Sequence, residues 1–330
     1  MNRRKNLEII LDSGKYFKVV CGAGNEDPKE VEKIVMVYTL AGTTAVDISA
    51  NVDVVKAAKS GIKKAKKLAP KLGKKILFDP YINVSVGLKG DPHVRKAEIN
   101  KEICRECGAC IQACEQHAIE DDFVVIKKKC IGCGKCSEVC PADAISFYSK
   151  KVDIDKILPE CINNGTETLE LHAVISDDDA VMKDWEVIDS LIPDNFISMC
   201  LDRNLLSNQH LLGRIQKAYD ITKERFIVQA DGVPMGGGSD DYNTTLQAIA
   251  IADIVQKSKI PVKILLSGGT NSKTGDLARM CDIKFCGVAV GTFARKLIYD
   301  YIKTDGFLEN EELIKKAVNV GEKLIKDNIG

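Results

Sequence analysis

Two runs of cysteine carry the clearest chemistry in this sequence. The first comprises Cys104, Cys107, Cys110 and Cys114, and the second Cys130, Cys133, Cys136 and Cys140. Both have the form C-x2-C-x2-C-x3-C, the spacing by which bacterial ferredoxins bind two [4Fe-4S] clusters, with the fourth cysteine of each run serving the other cluster. The spacing therefore predicts cluster one on Cys104, Cys107, Cys110 and Cys140, and cluster two on Cys114, Cys130, Cys133 and Cys136.

Structural zinc is the alternative for these thiolates, because CxxC pairs also build zinc sites. Zinc sites seldom repeat an identical four-cysteine run, so the spacing favours iron–sulfur clusters. Glu115 follows Cys114 where the second run has proline, and an acidic group there is expected to lower the potential of cluster two. The remaining cysteines are scattered and are interpreted as small apolar residues of a core: Cys21, Cys161, Cys200, Cys281 and Cys286.

Outside the cysteine region, short apolar β-rich runs alternate with amphipathic stretches of helical periodicity. This alternation is typical of βα units around a parallel sheet. Eight strands are predicted, so the simplest α/β fold is a (β/α)8 TIM-like barrel. The predicted strands are Phe17–Gly22, Ala45–Ala50, Lys75–Phe78, Leu169–Ile175, Phe196–Leu201, Arg225–Ala230, Val262–Leu266 and Phe285–Val290.

The third βα unit is interrupted by Gly87, Gly90 and Pro92, and barrel-like sequence resumes at Asp153. The predicted organisation is a first part of the barrel over residues 1–87, an inserted ferredoxin-like 2[4Fe-4S] domain over 88–152, and a second part over 153–330 that ends in an extra helix, Glu311–Lys326. Loops that follow barrel strands emerge at the face where active sites of this fold are built. We therefore expect the clusters to face the barrel mouth.

Two loops at that face contain glycine and threonine. Gly268, Gly269 and Thr270 follow the seventh predicted strand, and Gly291 and Thr292 follow the eighth. Because this fold often binds phosphate with these loops, they form a candidate site for FMN or another phosphate-bearing ligand. The alternative is that the glycines only permit tight turns. A third glycine-rich segment, residues 231–239, is expected to form a mobile loop over the mouth.

Several polar residues near the strand ends are candidates for catalysis or binding. Lys18 lies within an apolar strand, so it is expected to be a buried amine with Asp47 as its candidate partner. It is either a catalytic lysine or part of a structural ion pair. His172 and Asp231 are further candidates for acid, base or ligand roles. The other polar residues expected near the mouth are Ser49, Asp79, Asp202, Arg203 and Gln229.

The charges balance, with 47 Lys and Arg against 47 Asp and Glu, which argues against nucleic acid as the main partner. No apolar run reaches the roughly 18–20 residues that span a bilayer, and no signal peptide precedes the first strand, so we expect a cytoplasmic protein without a membrane partner. The lysine-rich stretch at residues 63–75 is either a solvated face or a docking surface for an acidic redox partner protein.

Segments from both ends of the chain resemble the light-dependent period (LdpA-type) iron–sulfur proteins of cyanobacteria. They are YFKVVCGA at 16–23, YTLAG at 38–42, VDISA at 46–50, QADG at 229–232, SGGTN at 267–271 and GTFARKL at 291–297. The resemblance implies the same fold and clusters, and a role as a redox sensor that feeds a clock and light response.

Two functions stand out on the sequence alone. The first is an electron-transfer or redox-sensing protein whose barrel communicates the state of the clusters to a partner. The second is an oxidoreductase, such as a ferredoxin-type reductase, in which the clusters relay electrons to a flavin or a phosphate-bearing substrate in the barrel. A third interpretation, in which the clusters only stabilise the fold, has the least support. No catalytic triad, HExxH or Walker sequence defines a reaction.

Overall fold

The computed structural model describes residues 2–22, 24–88, 91, 94–149, 152–233 and 238–330. Eight parallel strands close a barrel in which β3 pairs directly with β6 and β10 pairs with β1. The predicted (β/α)8 barrel is therefore confirmed. Its strands are β1 (Tyr16–Gly22), β2 (Ala45–Ser49), β3 (Tyr81–Gly87), β6 (Thr168–His172), β7 (Ile197–Leu201), β8 (Phe226–Asp231), β9 (Lys263–Ser267) and β10 (Gly287–Val290).

Amphipathic helices surround the barrel. In α3 the buried positions Val54, Ala58, Ile62 and Ala65 recur at spacings of three or four and so form one face against the strands. The helices are α1 (Arg3–Asp12), α2 (Pro28–Ala41), α3 (Val52–Leu68), α6 (Ile154–Asn163), α7 (Asp178–Leu191), α8 (Asn208–Thr222), α9 (Leu246–Ser258), α10 (Thr274–Met280), α11 (Thr292–Ile302) and α12 (Glu311–Ile329).

The third predicted strand is wrong. Residues 75–77 have no regular structure, and the Leu77 side chain is 77% exposed. The strand is instead β3, in which Asn83 and Ser85 point into the barrel while Val84 and Val86 pack outward. Residues 76–78 form a short apolar run, and such a run has the same hydrophobic pattern as a short buried strand. Hydrophobicity alone therefore cannot distinguish the two.

Between β3 and β6 the chain leaves the barrel. It forms a separate two-stranded antiparallel sheet from β4 (Arg95–Ile99) and β5 (Ile145–Ser149), with the short helices α4 (Ala109–Ala113) and α5 (Lys135–Glu138) between these strands. Each short helix begins at a glycine with positive φ inside a cysteine run. The predicted boundaries of the insert, 88 and 152, remain predictions. Residues 89–90, 92–93 and 150–151 of the two junctions lie outside the described residues.

The N-terminal end of the barrel is closed by apolar residues. Leu7 and Leu11 of α1 pack there against Tyr16, Tyr81 and Phe196. This floor leaves the opposite end, where the strands terminate, as the side from which polar residues and loops are accessible. Within the described ranges, no helix is both long enough and apolar enough to cross a membrane.

Candidate functional site

A buried polar network occupies the barrel interior above the apolar floor. Strand alternation directs Lys18 of β1, Glu170 and His172 of β6, and Gln229 of β8 inward, and each is at most 5% exposed. Glu170 and His172 are two residues apart on one strand and therefore share a face. In the register of β6 and β7, His172 lies beside Cys200. The parallel sheet thus brings side chains from distant parts of the sequence together in the barrel interior.

Lys18 and Glu170 form the ion pair at the centre of this network. The Lys18 ammonium donates to the Glu170 carboxylate and, at 2.7 Å, to Oε1 of Gln229. Glu170 also accepts from Ser198 Oγ at 3.0 Å. Burial disfavours both charges, but their attraction outweighs it, raising the pKa of Lys18 and lowering that of Glu170. The geometry therefore favours the structural ion pair over a neutral catalytic amine.

Asp47, the partner predicted for Lys18, makes its hydrogen bonds elsewhere. It accepts from Asn83 Nδ2 at 2.6 Å and from the Ser85 hydroxyl. Thr168 in turn donates to the Asn83 carbonyl oxygen at 2.8 Å. Burial raises the pKa of Asp47, while the positive charge of Lys18 opposes the rise. Asp47 is thus part of a polar chain across β2, β3 and β6 that flanks the ion pair.

His172 lies between two carboxylates at the upper end of β6. Its Nε2 is 3.1 Å from Glu170 Oε1, and its Nδ1 is 3.4 Å from Asp91 Oδ2. Burial alone would lower the pKa of His172, but Asp91 and Glu170 raise it well above its ordinary value. A carboxylate therefore lies beside each ring nitrogen of this buried imidazole. The sequence named His172 but neither of these partners.

Cys200 belongs to the same region, although its sequence context suggested only core packing. Its Sγ donates to Asp231 Oδ2 at 3.0 Å. Burial and the adjacent Asp231 raise the pKa of Cys200 well above that of a free thiol. Asp231, a predicted site residue, is thereby placed at the end of β8 beside the network.

A cavity of about 70 Å³ lies directly above these groups, and all five predicted phosphate-site residues line it. Gly268 and Gly269 have φ of 67° and 73°, which favours glycine. At Gly268 a side chain would also collide with Asp231. The Thr270 hydroxyl donates to the Ala289 carbonyl at 2.6 Å, so it anchors the loop to β10. Of the glycine-rich segment at 231–239, residues 234–237 lie outside the described residues.

Arg295, in the first turn of α11, also lines this cavity and is only 7% exposed. It donates to the Val20 carbonyl at 2.8 Å and lies 3.4 Å from the Thr292 hydroxyl. Its Nε has no hydrogen-bond partner among the described residues. Burial lowers the pKa of Arg295. A buried guanidinium with an unused donor at a helix N-terminus is a donor set suited to an anion such as phosphate.

The cysteines of the insert surround two separate cavities. One is lined by Cys104, Cys107, Cys110 and Cys140, and the other by Cys114, Cys130, Cys133 and Cys136. Backbone N–H groups lie within hydrogen-bonding distance of several sulfurs, such as Ala97 N at 3.4 Å from Cys130 Sγ. Four convergent thiols with nearby amide donors fit the requirements of a [4Fe-4S] cluster in each cavity. These are the two crossed sets that the spacing predicted, and the ligand assignment is taken up as a proposal below.

Ile131 and Lys96 are two of the insert residues that contact the barrel. Ile131, which lies between Cys130 and Cys133, lines the cavity above the polar network. Lys96, 3% exposed, donates to the Gly24 carbonyl in the loop after β1 at 2.6 Å and to the Cys130 carbonyl at 2.7 Å. One buried cation therefore joins a barrel loop to a cysteine run.

Glu115 does not present an isolated negative charge to the second cysteine set. Its carboxylate forms an ion pair with Lys135 at 2.8 Å. The cation offsets the charge that was expected to lower the potential of a cluster there. A partner twenty residues away, such as Lys135, is not apparent from the spacing of the cysteine motif.

The sequence missed Glu170, Asp91 and the role of Cys200, and it misplaced Asp79. Asp79 precedes β3 and pairs with Lys66, so it lies at the opposite end of the strand from the mouth. Glu170 could have been predicted as a site residue, because it lies two positions before His172 on one strand and therefore shares its face. No comparable pattern marks Asp91, which follows β3 in sequence.

The lysine-rich stretch is largely neutralised by carboxylates. Its ion pairs are Lys64 with Glu32, Lys66 with Asp79, Lys71 with Glu311 and Lys74 with Glu322. These pairs support the solvated-face alternative more than an uncompensated basic docking surface.

The fold and the cysteine motifs define an iron–sulfur protein built on a (β/α)8 barrel. A family model for the light dependent period A C-terminal domain matches residues 161–327, and one for a 4Fe-4S binding domain matches residues 123–146. The chain therefore belongs to the light dependent period A family. The curated "Light dependent period A" of Synechococcus elongatus is 27% identical over 286 residues, which cover 86% of this chain and 78% of that protein.

Solved structures support the barrel alone. The YdjI aldolase from Escherichia coli K12 has a TM-score of 0.51 at 10% identity, covering 99% of this chain and 96% of its own. The putative fructose-1,6-biphosphate aldolase from Coccidioides immitis has a TM-score of 0.50 at 7% identity, covering 99% of this chain and 97% of its own. At such identities the likeness concerns the fold and not the reaction.

Proposed function

We propose that this protein transfers electrons or senses redox state through two [4Fe-4S] clusters at the mouth of its barrel. The observation that carries the proposal is the position of Ile131, which follows a predicted ligand of cluster two and also lines the barrel cavity. A change of charge on that cluster would act on the cavity at short range, because a buried region screens charges weakly. The proposed location is the cytoplasm, where thiolates remain reduced.

Lys96 provides the proposed route by which the barrel responds. An added electron on cluster two would strengthen its attraction to the buried ammonium. Lys96 also holds the Gly24 carbonyl, so a stronger interaction with the cluster side changes the restraint on the loop after β1. The partner that reads this loop is proposed to be a protein. The Synechococcus relative is named for a light-dependent period, which is compatible with a sensing role.

The ligand assignment predicts the outcome of two substitutions. Cys104→Ala should remove cluster one and Cys130→Ala cluster two, and each should roughly halve the iron and sulfide content, because the two sets are separate. Iron analysis and visible spectra of anaerobically purified protein measure this. Cys281→Ala, an exposed cysteine outside both sets, is the control. Complete loss of iron in either cluster variant would contradict the independence of the two sites.

A second candidate function is an oxidoreductase in which the clusters deliver electrons singly to a phosphate-bearing ligand or to FMN. Arg295 supports it, since a buried guanidinium with an unused Nε faces the glycine-lined cavity. The cavity of about 70 Å³ suits a phosphate group, whereas the rest of such a ligand would have to extend outward beyond it. The chain's own contribution would be to bind the phosphate and orient the attached group toward Ile131.

Binding experiments distinguish the two candidates. Under the second candidate, Arg295→Met should weaken binding of FMN or inorganic phosphate about tenfold or more, since hydrogen bonds to charged groups contribute about 1.5–3 kcal/mol. Arg279→Met, at an exposed arginine of α10, is the control. Calorimetry measures both, together with a search for flavin released on denaturation. If the purified protein contains no flavin and binds neither ligand, the oxidoreductase candidate is ruled out and the electron-transfer or redox-sensing function is retained.

A further inference from the structure

Three side chains of types that ligate metals lie together inside the barrel, separate from the cysteines of the insert. Glu170, His172 and Cys200 each offer one ligand atom, and these three atoms lie within 4.8 Å of one another. All three residues are buried. We propose that they bind one divalent transition metal ion of borderline softness, zinc or ferrous iron, as a site independent of the [4Fe-4S] clusters.

The backbone explains why the three ligand atoms converge. Glu170 and His172 alternate on β6 and so point to the same side, while the register of β6 and β7 sets His172 beside Cys200. Rigid neighbouring strands therefore hold a carboxylate, an imidazole and a thiol without any loop rearrangement. Ligand atoms that lie about 2.0–2.3 Å from zinc are roughly 3–4 Å from one another, and Glu170 Oε1 and His172 Nε2 already have this spacing at 3.1 Å.

The surrounding hydrogen bonds leave suitable lone pairs for a metal. The Lys18 ammonium and the Ser198 hydroxyl both donate to Oε2 of Glu170. Oε1 accepts from Gln229 Nε2 at 2.7 Å and lies 3.1 Å from His172 Nε2, and a carboxylate oxygen with two lone pairs retains one for a metal. A metal at Oε1 can therefore coexist with the Lys18 ion pair. The metal would replace two protons. One lies between Glu170 and His172, and the other is the Cys200 thiol proton, which in the absence of metal is donated to Asp231 Oδ2 at 3.0 Å. Metal ligation normally releases such protons.

The donor set and the cavity indicate the kind of site. Glutamate, histidine and cysteine together suit zinc or ferrous iron, and are poor ligands for magnesium or calcium. Three protein ligands are typical of sites that keep one coordination position open. Glu170 and His172 also line the cavity that contains the candidate phosphate residues. The open position would therefore face that cavity and accept water or an oxygen atom of a bound ligand.

Zinc is the suitable probe, because iron in the clusters would obscure ferrous iron. The full chain, purified anaerobically with its clusters, is incubated with zinc chloride and desalted, and zinc is measured by mass spectrometry and K-edge X-ray absorption. We expect one zinc per chain with a single sulfur neighbour near 2.3 Å and nitrogen or oxygen neighbours near 2.0 Å. Cys200→Ser and His172→Gln should each weaken zinc retention more than tenfold at unchanged iron content.

The control is Cys286→Ser, another buried barrel cysteine, which should retain zinc like the unsubstituted protein. Two results would overturn the proposal: no zinc retained by the unsubstituted protein, or zinc surrounded by sulfur alone, which would indicate the cysteines of the insert. The absorption spectrum of the unsubstituted protein decides the matter even if a variant fails to fold. If the barrel site does not bind zinc, the assignment of the cluster ligands is unaffected, because iron content tests that assignment separately.

Discussion

Lys18 shows at the scale of one residue how the barrel interior is stabilised. Its side chain is 1% exposed, and the charge is balanced by Glu170, itself fully buried. Removing one partner of such a pair leaves an uncompensated charge in a region of weak screening. The ion pair therefore constrains the interior even though two apolar residues might pack there equally well.

Lys18→Met should consequently destabilise the protein by about 3–5 kcal/mol, because Glu170 loses its main counter-charge. Lys257→Met, which breaks an exposed pair with Asp253, should change the free energy of unfolding by less than about 1 kcal/mol. Anaerobic urea unfolding followed by far-UV circular dichroism compares them. Equal effects of the two substitutions would show that the interior charges are not coupled as described.

Lys96 supplies a second prediction, on the cluster potential. Lys96→Met removes a buried cation that donates to the Cys130 carbonyl, so the reduced form of cluster two should be disfavoured. We expect its midpoint potential to fall by an amount on the order of tens of millivolts, with a smaller change at cluster one. Lys127→Met, at an exposed lysine of the insert, is the control in the same redox titration. An unchanged potential in the Lys96 variant would remove the proposed link between cluster and barrel.

The residue chemistry was only partly predictable. The apolar surroundings of Lys18 were enough to predict a buried amine that needs a partner. The candidate partner Asp47 is a charged neighbour of Lys18, whereas the hydrogen-bonded ion-pair partner is Glu170, because the pairing depends on which strands face each other across a closed barrel. Glu170 lies 152 positions away in sequence, and the closure that brings it to Lys18 is a property of all eight strands.

At the scale of elements, α2 and α3 pack closely because one position carries no side chain. A Cβ at Gly61 of α3 would lie 2.5 Å from the Glu32 carbonyl oxygen and 3.1 Å from the Met36 nitrogen. These are backbone atoms of α2, which cannot move aside like the end of a side chain. The contact is therefore a fixed part of how this helix pair covers the barrel.

Gly61→Ala should destabilise the protein by about 1–3 kcal/mol, since the added methyl overpacks this interface. Gly213→Ala is the matched substitution, because Gly213 is also helical, in α8, but has no atom within 4 Å of the added Cβ. It should be neutral or stabilise by up to about 1 kcal/mol. Thermal unfolding of both variants gives the comparison. If Gly61→Ala were as stable as Gly213→Ala, the close packing would be wrong.

Helices were easier to predict than strands. Amphipathic periodicity and the N-cap side chains of Asn51 and Asp177 mark the starts of α3 and α7. The extra C-terminal helix begins at Glu311 as predicted, after Asn310, whose side chain accepts from the Leu313 N–H. The third strand was misplaced because a three-residue apolar run and a seven-residue buried strand give similar local signals.

At the scale of the whole molecule, the order of the barrel strands determines where the cysteine-containing insert attaches relative to the polar network inside the barrel. β3 pairs directly with β6, so the residues between them leave and re-enter the barrel at neighbouring strands. The insert was predictable from the interruption of the βα alternation. Its contact through Ile131 and Lys96 was not, because no pattern in the sequence specifies the orientation of one sheet relative to another.

The central claim is that this barrel carries two [4Fe-4S] clusters that accept electrons beside its mouth. The most direct test is a reductive titration of anaerobically purified protein, followed by electron paramagnetic resonance with iron and sulfide analysis. We predict about eight irons per chain, from two clusters of four, and reduced-cluster signals that integrate to two spins and broaden through mutual coupling. Zinc in place of iron, or signals from a single cluster, would contradict the account.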